Sequence, residues 1–266
     1  MLTPLIESRR LSLYHGEHDA LARHLTQRKE VVDLISVDTP YSERTHTGHD
    51  GTRPGGRSPI PYAFWTPEDV HVFVQTWRPL QRGWLVSITD HVLWPAWQRA
   101  AERAGLYAGF PPLPLVVRGS RLRIRGDGPS PWTYWVMVAR PTELDTWGTI
   151  GRGAYIGSRE RLLMTGGKPL WAMREIIQDY SRPGQVVCDP LCGTGTTLAG
   201  ALFEGREAIG GDGSLVTLGL AETRLERTQR FLNAPGIPGR RRSPLAVHPG
   251  GHGEEHAAEV EDQHLV

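Results

Sequence analysis

The sequence has little cysteine and almost no net charge. Its two cysteines, Cys188 and Cys192, stand in a chain of 266 residues. Their C-x3-C spacing lacks the further Cys or His ligands of a structural zinc site, so we predict no metal site and expect two thiols beside a glycine turn. A formal net charge of +1 excludes a nucleic-acid-binding protein with a uniformly basic surface, although a local basic patch can still bind phosphates.

The chain also has no long apolar run and no charged-then-apolar leader at its start. Together with the few cysteines, this predicts a reducing, cytoplasmic location without membrane association. The length suits one sizeable α/β domain with extensions, which we expect over residues 1–233. Residues 234–266 are rich in Pro, Gly, His and acidic residues, so we expect a disordered tail.

Short apolar runs alternate with amphipathic segments along most of the chain. The β-branched run 31–37 is typical of a buried parallel strand, and Thr66 followed by Pro67 is a typical helix start. The pattern predicts a repeating β-α order. We expect strands at 11–14, 31–37, 83–89, 113–117, 134–139, 185–188 and 207–211, and helices at 18–27, 67–77, 95–104, 170–180, 196–203 and 215–231.

Two segments interrupt this order. Residues 42–61 are rich in Gly, Pro, Ser and Thr and have no periodicity, which predicts a loop directly beyond the strand at 31–37. Residues 142–167 contain several glycines and arginines without a clear apolar face, which predicts an inserted surface segment.

A glycine turn follows the predicted strand at 185–188. Gly193 and Gly195 let the backbone approach a bound group, and the next helix offers N–H donors to a carboxylate. The spacing is neither G-x-G-x-x-G nor that of a P-loop, because no Lys follows the second glycine. Asp212 ends the next strand, where it could accept hydrogen bonds from ribose hydroxyls. A nucleoside with a carboxylate-bearing tail would fit this arrangement, with its tail at the helix start and its ribose at Asp212. The alternative is a purely structural turn with a solvated Asp212.

The turn resembles the S-adenosylmethionine-binding motif of DNA amino-methyltransferases, commonly D-P-F-x-G-S/T-G-S/T-T, with Leu191 in place of Phe. Gly167-Lys168-Pro169-Leu170 resembles the Lys-Pro that opens the preceding helix in that family. The resemblance implies S-adenosyl-L-methionine as cofactor. The binding residues it implies are Lys168, Pro169, Asp189, Pro190, Leu191, Cys192, Gly193, Thr194, Gly195, Thr196, Thr197 and Asp212.

A second polar motif, Asp38-Thr39-Pro40-Tyr41, directly follows the run 31–37. A base amine is a poor nucleophile, because its lone pair is delocalised into the ring. A carboxylate and a backbone carbonyl can accept its hydrogens and offset the charge that develops during methyl transfer. Tyr41 could stack on a base that has left the duplex. A strand-ending turn or a decayed enzyme is the alternative.

The tetrapeptide resembles the catalytic D-P-P-Y of the same family, with Thr39 in place of the first proline. The resemblance implies that Asp38, Thr39, Pro40 and Tyr41 are catalytic. In the family, Asp in the first position is more often found in adenine-N6 enzymes and Ser in cytosine-N4 enzymes, so we expect adenine N6. The alternatives are cytosine N4, methylation of RNA or a protein glutamine, and a decayed DNA-binding protein of the same fold.

Upstream, His18-Asp19-Ala20-Leu21 resembles the G-D-x-L cofactor-adenine contact of the family, with His18 in place of Gly. A helix N-cap is the competing role for Asp19. The catalytic motif precedes the cofactor motif, which is the order of the β subgroup, and the resemblance covers roughly residues 11–230. It implies an α/β, Rossmann-like methyltransferase fold with a seven-stranded, mostly parallel sheet and one antiparallel strand.

In the family a target-recognition region lies between the two halves, and here the short segment 142–167 occupies that place. Its arginines could reach phosphates or guanine edges of duplex DNA, and segment 118–131 could add a second basic strip. Tryptophans nearby could stack on bases, although packing is their commoner role. Dimerisation, common in the family, could compensate for the short region. The candidate DNA-contacting residues are Arg118, Arg121, Arg123, Arg125, Arg152, Arg159, Arg161, Trp132, Trp135 and Trp147.

Overall fold

The computed structural model describes residues 2–47, 62–119, 132–144, 151–164 and 166–234. Within these ranges the strands are β1 (Pro4–Ser8), β2 (Leu11–His15), β3 (Val32–Asp38), β4 (Gln81–Thr89), β5 (Leu106–Tyr107), β6 (Leu113–Arg118), β7 (Thr133–Pro141), β8 (Tyr155–Ser158), β9 (Val186–Asp189) and β10 (Glu207–Asp212). The helices are α1 (His18–Gln27), α2 (Glu43–Thr47), α3 (Pro67–Trp77), α4 (Trp94–Arg103), α5 (Leu170–Tyr180), α6 (Thr196–Phe203) and α7 (Leu215–Asn233). A 3-10 turn, Arg78–Leu80, follows α3.

The strands form one mixed sheet in the order β1-β2-β10-β9-β3-β4-β7-β6-β8, and β5 pairs with β7 outside this path. From β2 to β4 in this order all neighbours are parallel, and β7 is antiparallel to both β4 and β6. These strands and β6 make up the predicted seven-stranded sheet with one antiparallel strand, so the predicted fold class is confirmed.

The predicted strand count was too low. β1 pairs antiparallel with β2, and β8 pairs parallel with β6. Both are short edge strands with half-exposed patterns, so they lack the buried apolar run that marks the central strands. Residues 42–61 were predicted to be loop, but their beginning forms the short helix α2.

Each strand and helix expected from the sequence ends within about two residues of the observed element, and α1, α5 and α6 have the predicted bounds. The start of α3 shows why. Its N-cap Thr66 accepts a hydrogen bond from Asp69 N, and Pro67 occupies the first helical position. Local chemistry therefore sets where this helix begins, without help from long-range contacts.

Apolar cores lie on both faces of the sheet. One joins the sheet to α5, α6 and α7, and the other joins it to α1, α3 and α4. Successive side chains of β3 alternate between the two, because Leu34 belongs to the first core and Ile35 to the second. Helices on both faces leave the carboxyl ends of the strands as the accessible edge, where ligands bind in open α/β sheets.

No helix in the described ranges is both long enough and apolar enough to cross a bilayer. Residues 235–266 lie outside the described residues, so the disordered tail and the domain boundary at 233 stay predictions.

Candidate active site

Three neighbouring parallel strands end in aspartates at the same edge of the sheet. β3 ends at Asp38, β9 at Asp189 and β10 at Asp212, and the three strands are adjacent in the order β10-β9-β3. The three carboxylates are close enough to interact, since Asp38 and Asp212 both help to raise the pKa of Asp189. The parallel sheet thus brings together two motifs that are far apart in the sequence.

The glycine turn between β9 and α6 has a left-handed backbone at two positions. Gly193 has φ 51° and Gly195, the N-cap of α6, has φ 76°. A Cβ added at Gly195 would lie 3.2 Å from the Cβ of Ala221, so a larger residue would also meet α7. The turn is tied to β10 by Cys192 N, which donates to Gly211 O at 2.9 Å. Both glycines therefore serve the shape of the turn.

Asp212 holds this turn from the neighbouring strand. Its Oδ2 accepts Gly193 N at 3.0 Å, and its Oδ1 accepts Ser214 N at 2.9 Å and Thr217 Oγ1 at 3.3 Å. A carboxylate offers about four lone-pair positions, so Asp212 can still accept hydrogen bonds from a ligand.

Asp189 is buried below the turn, with 2% of its surface exposed. Its Oδ1 accepts Leu191 N at 3.2 Å. Burial raises its pKa to about 7, and hydrogen bonds from Thr197 and Leu191 only partly oppose that rise. Asp189 therefore holds the turn from inside the protein, and its place among the cofactor residues stays a prediction.

This raised pKa predicts a pH-dependent stability. The folded state binds the Asp189 proton more tightly than the unfolded state does, because the pKa rises from 3.8 to about 7. The stabilising contribution is therefore complete below about pH 4 and is lost as the pH rises through about 7, an effect of up to ~4 kcal/mol. Asp189→Asn should flatten the fall in unfolding free energy between about pH 4 and pH 7, measured by urea denaturation. An equal fall in both proteins would contradict the assignment.

Asp38, whose side chain is 26% exposed, forms an ion pair with a buried lysine at the neighbouring strand end. Its Oδ2 accepts Lys168 Nζ at 2.6 Å, and its Oδ1 accepts the hydroxyl of Tyr41 at 3.1 Å. Lys168 also donates to Gly166 O at 2.9 Å, and its side chain is 3% exposed. Burial raises the pKa of Asp38, and the ammonium group of Lys168 opposes that rise. Lys168 contacts the predicted catalytic carboxylate, and its predicted contact with the cofactor stays a prediction.

The remaining residues of the tetrapeptide surround this pair. Thr39 is buried, and its hydroxyl has no hydrogen-bond partner among the described residues. The rings of Tyr41 and Tyr134 have centroids 6.1 Å apart, and Lys168 Nζ lies 5.3 Å and 4.6 Å from them. Pro40 is half-buried between Thr39 and Tyr41. The site therefore combines a carboxylate, an ammonium group and two aromatic faces.

Asp90 anchors the chain that follows the tetrapeptide, and sequence reasoning missed it. Its Oδ2 accepts Ser42 N at 3.0 Å and Thr45 Oγ1 at 2.6 Å, while its Oδ1 accepts Leu93 N at 2.9 Å. Burial alone would raise its pKa, but these hydrogen bonds outweigh burial and lower it. The available signal was its position directly after the strand predicted at 83–89.

Arg224 is a second residue that sequence reasoning missed. It lies in α7 with 9% of its surface exposed, and its guanidinium donates to the hydroxyls of Thr196 and, at 3.5 Å, Thr194. Burial lowers its pKa to about 10. It stands between Ala221 and Leu225 on the buried side of the helix, and an arginine in that apolar pattern was the available signal.

The predicted contact at Asp19 lies at the beginning of α1. Gly16 N donates to Asp212 O at 3.1 Å, which places this helix start beside the end of β10. The N-cap residue is Glu17, so the alternative role of Asp19 as N-cap is wrong. Asp19 accepts Ala20 N at 2.7 Å and pairs with Arg23. His18 packs its ring on Trp65 and Phe73, and burial lowers its pKa.

The predicted DNA contacts divide into two groups. Arg152 is bound within the protein, since it pairs with Asp179 at 2.6 Å. Arg118, Arg159 and Arg161 are exposed, and Arg159 N donates to Arg118 O at 2.9 Å across the β6–β8 edge. Trp132 and Trp135 are half-buried at β7. Arg121, Arg123, Arg125 and Trp147 lie outside the described residues.

Residues 151–217 match a family model described as DNA methylase. This range contains Lys168, the glycine turn and Asp212, whereas the tetrapeptide at Asp38 lies before it. No curated protein matches the chain in sequence.

The fold is similar to solved structures of DNA methyltransferases. The M1.HpyAVI-SAM complex is 19% identical with a TM-score of 0.62, over 81% of this chain and 98% of that one. A putative DNA modification methylase from Thermus thermophilus, complexed with S-adenosyl-L-methionine, is 17% identical with a TM-score of 0.60, over 86% and 96%. The cytosine-N4-specific PvuII DNA methyltransferase is 14% identical with a TM-score of 0.57, over 87% and 96%. At these identities the likeness shows the fold, and the match to the DNA methylase family model is confined to residues 151–217.

Proposed function

We propose that the protein transfers a methyl group from S-adenosyl-L-methionine to the exocyclic N6 amine of adenine in DNA. The observation that carries this proposal is the convergence of Asp38, the glycine turn and Asp212 at one edge of the sheet. Nucleophile and cofactor must meet there, because a methyl transfer needs both reactants held in line.

The residues at this edge fit S-adenosyl-L-methionine, which supplies an electrophilic methyl group on a positively charged sulfonium. Asp38 and Asp212 make the edge acidic, and among the described residues Lys168 is the one cation within ion-pair distance of either. Thr194, Thr196 and the N-terminus of α6 offer donors to the carboxylate of the amino-acid tail. Asp212 can accept the ribose hydroxyls. Two of the similar solved structures carry this cofactor.

The tetrapeptide supplies acceptors for the amine. Asp38 Oδ1 and the carbonyl oxygen of Thr39 would accept its two hydrogens, which turns the nitrogen lone pair toward the methyl group. When bound, the cofactor would supply the methyl group to the nitrogen, and the proton that the nitrogen loses would pass to Asp38 or to water. Tyr41 would stack on a base that has swung out of the duplex.

Cytosine N4 is the second candidate for the target amine. One similar solved structure is a cytosine-N4-specific enzyme, and both amines present the same hydrogens to an acceptor pair. The Asp at the first position of the tetrapeptide favours adenine by resemblance. The exposed arginines Arg118, Arg159 and Arg161 are the proposed contacts to phosphates. Dimerisation and a cytoplasmic location stay predictions.

Labelled methyl transfer tests the proposal. Purified protein with labelled S-adenosyl-L-methionine and unmethylated duplex DNA should give N6-methyladenine after digestion to nucleosides and mass spectrometry. N4-methylcytosine would overturn the choice of base, and label found only in RNA or protein would overturn the choice of DNA. Methylation-sensitive sequencing of cells that express the protein would then give the recognised sequence.

A further inference from the structure

The ammonium group of Lys168 has a defined place in the site. It donates to Asp38 Oδ2 at 2.6 Å and to Gly166 O at 2.9 Å, and its side chain is almost completely buried. The chain has two lysines, and the other, Lys29, is exposed. Taking an ammonium group out of water is costly unless it is paired and hydrogen-bonded. The pairing with Asp38 and Gly166 meets that condition.

The two oxygens of Asp38 are not equivalent. Oδ2 accepts a short, charge-assisted hydrogen bond from Lys168, whereas Oδ1 accepts the neutral hydroxyl of Tyr41 at 3.1 Å. Charge-assisted hydrogen bonds are roughly twice as strong as neutral ones. A target amine can therefore replace the Tyr41 hydroxyl at Oδ1 more readily than it can replace Lys168 at Oδ2.

We propose that Lys168 is a positioning residue of the methyl transfer: it holds Asp38 Oδ2, presents Oδ1 to the amine, and sets the lower pH limit of activity. This inference rests on the proposed function. In this role Lys168 acts on the catalytic carboxylate, whereas the resemblance implied that it binds the cofactor.

The charges around Asp38 support this role. Lys168 is the one cation that contacts Asp38 among the described residues, while the other titratable groups that interact with Asp38 are Tyr41, Tyr62 and Asp189. Burial raises the pKa values of Tyr41 and Tyr62, so neither tyrosine is charged near pH 7, and none of the three groups carries a positive charge. Without Lys168, only the hydrogen bond from Tyr41 among these groups would oppose the burial that raises the pKa of Asp38.

The aromatic rings keep the ammonium group in place. Lys168 Nζ lies 4.6 Å from the ring centroid of Tyr134 and 5.3 Å from that of Tyr41. A cation within about 6 Å of a ring centroid is attracted by the ring face. Lys168 thereby also fixes the ring of Tyr41, on which the target base would stack.

Lys168→Met tests the proposal, because Met has a similar length and no charge. We expect kcat to fall by roughly 10²-fold, as for a misplaced reacting group. The acid limb of the kcat profile should move to higher pH, because Asp38 must then ionise without a cation beside it. The dissociation constant of the cofactor, measured by calorimetry, should stay within a few-fold of the wild-type value. The matched control Lys29→Met should change none of these quantities.

A loss of cofactor affinity in Lys168→Met, with kcat and the acid limb unchanged at saturating cofactor, would overturn the proposal and assign Lys168 to the cofactor.

A spectroscopic measurement covers the case in which Lys168→Met does not fold. In protein labelled with ¹⁵N-lysine, the buried ammonium group should give a slowly exchanging Nζ signal, which Lys29→Met retains and Asp38→Asn shifts. An Nζ signal indifferent to Asp38→Asn would overturn the proposal. This readout needs no methyl transfer, so an intact ion pair in a protein that methylates no nucleic acid would count against the proposed function alone.

Discussion

Asp38→Asn is expected to lower kcat for methyl transfer by about 10³-fold or more, in the range that preplaced acceptors and acid–base groups contribute. The amide has the same shape, but its NH2 group presents hydrogens where the amine needs an acceptor. The cofactor should still bind, because the glycine turn and Asp212 are untouched. Single-turnover methylation with saturating cofactor measures the chemical step, and calorimetry measures the binding.

Asn is a better replacement than Ala at this position. Ala would leave the ammonium group of Lys168 buried and unpaired, at a cost of ~3–5 kcal/mol in stability. A loss of activity in Asp38→Ala could therefore reflect unfolding, whereas the amide oxygen of Asn can still accept from Lys168.

Asp33→Asn is the matched control for Asp38→Asn. Asp33 lies near the opposite end of β3, where it pairs with Arg82 and accepts Val186 N. This variant should lose some stability and keep its kcat. Equal losses of kcat in both variants would show that Asp38 acts through the strand and not through the amine.

Asp212→Asn is expected to weaken cofactor binding by about 10²-fold, because hydrogen bonds to a charged acceptor contribute ~1.5–3 kcal/mol each. The substitution weakens the proposed bonds to the ribose hydroxyls and the bond from Gly193 N that holds the turn. Calorimetric titration with S-adenosyl-L-methionine checks the size of the effect, and at saturating cofactor kcat should recover in large part.

The control for Asp212→Asn lies on the same strand. Glu207→Gln makes the same change from carboxylate to amide at the beginning of β10, away from the carboxyl edge. It should bind the cofactor as the wild type does. Wild-type affinity in Asp212→Asn would remove this residue from the proposed cofactor site.

Most of the fold could be predicted from local sequence signals. The apolar run at 31–37 and the Thr66–Pro67 start act within one turn or strand, so they needed no knowledge of distant residues. The edge strands β1 and β8 could not be found in this way. They exist because neighbouring strands offer them backbone partners, and their half-exposed sequences carry no comparable signal.

The candidate site shows the same division between local and distant information. The glycine turn and the tetrapeptide were visible as motifs, because their residue types are needed at fixed spacings. Asp90 and Arg224 were not, since each acts on a segment that is distant in the chain: Asp90 holds Ser42, and Arg224 holds Thr196. A residue that hydrogen-bonds to a distant segment belongs to no motif of fixed spacing, so the sequence alone does not reveal its role.

The sequence by itself determined the order of the seven main strands and of every helix except α2, the glycine turn that Gly193 and Gly195 permit, and the resemblance that suggested methyl transfer. The tertiary structure alone decided which carboxylates meet and which partner each one has. Asp38 and Lys168 are far apart in the sequence, yet their side chains are in contact. The physical reason is the parallel sheet, which gathers the carboxyl ends of β3, β9 and β10 at one edge and turns separate motifs into one site.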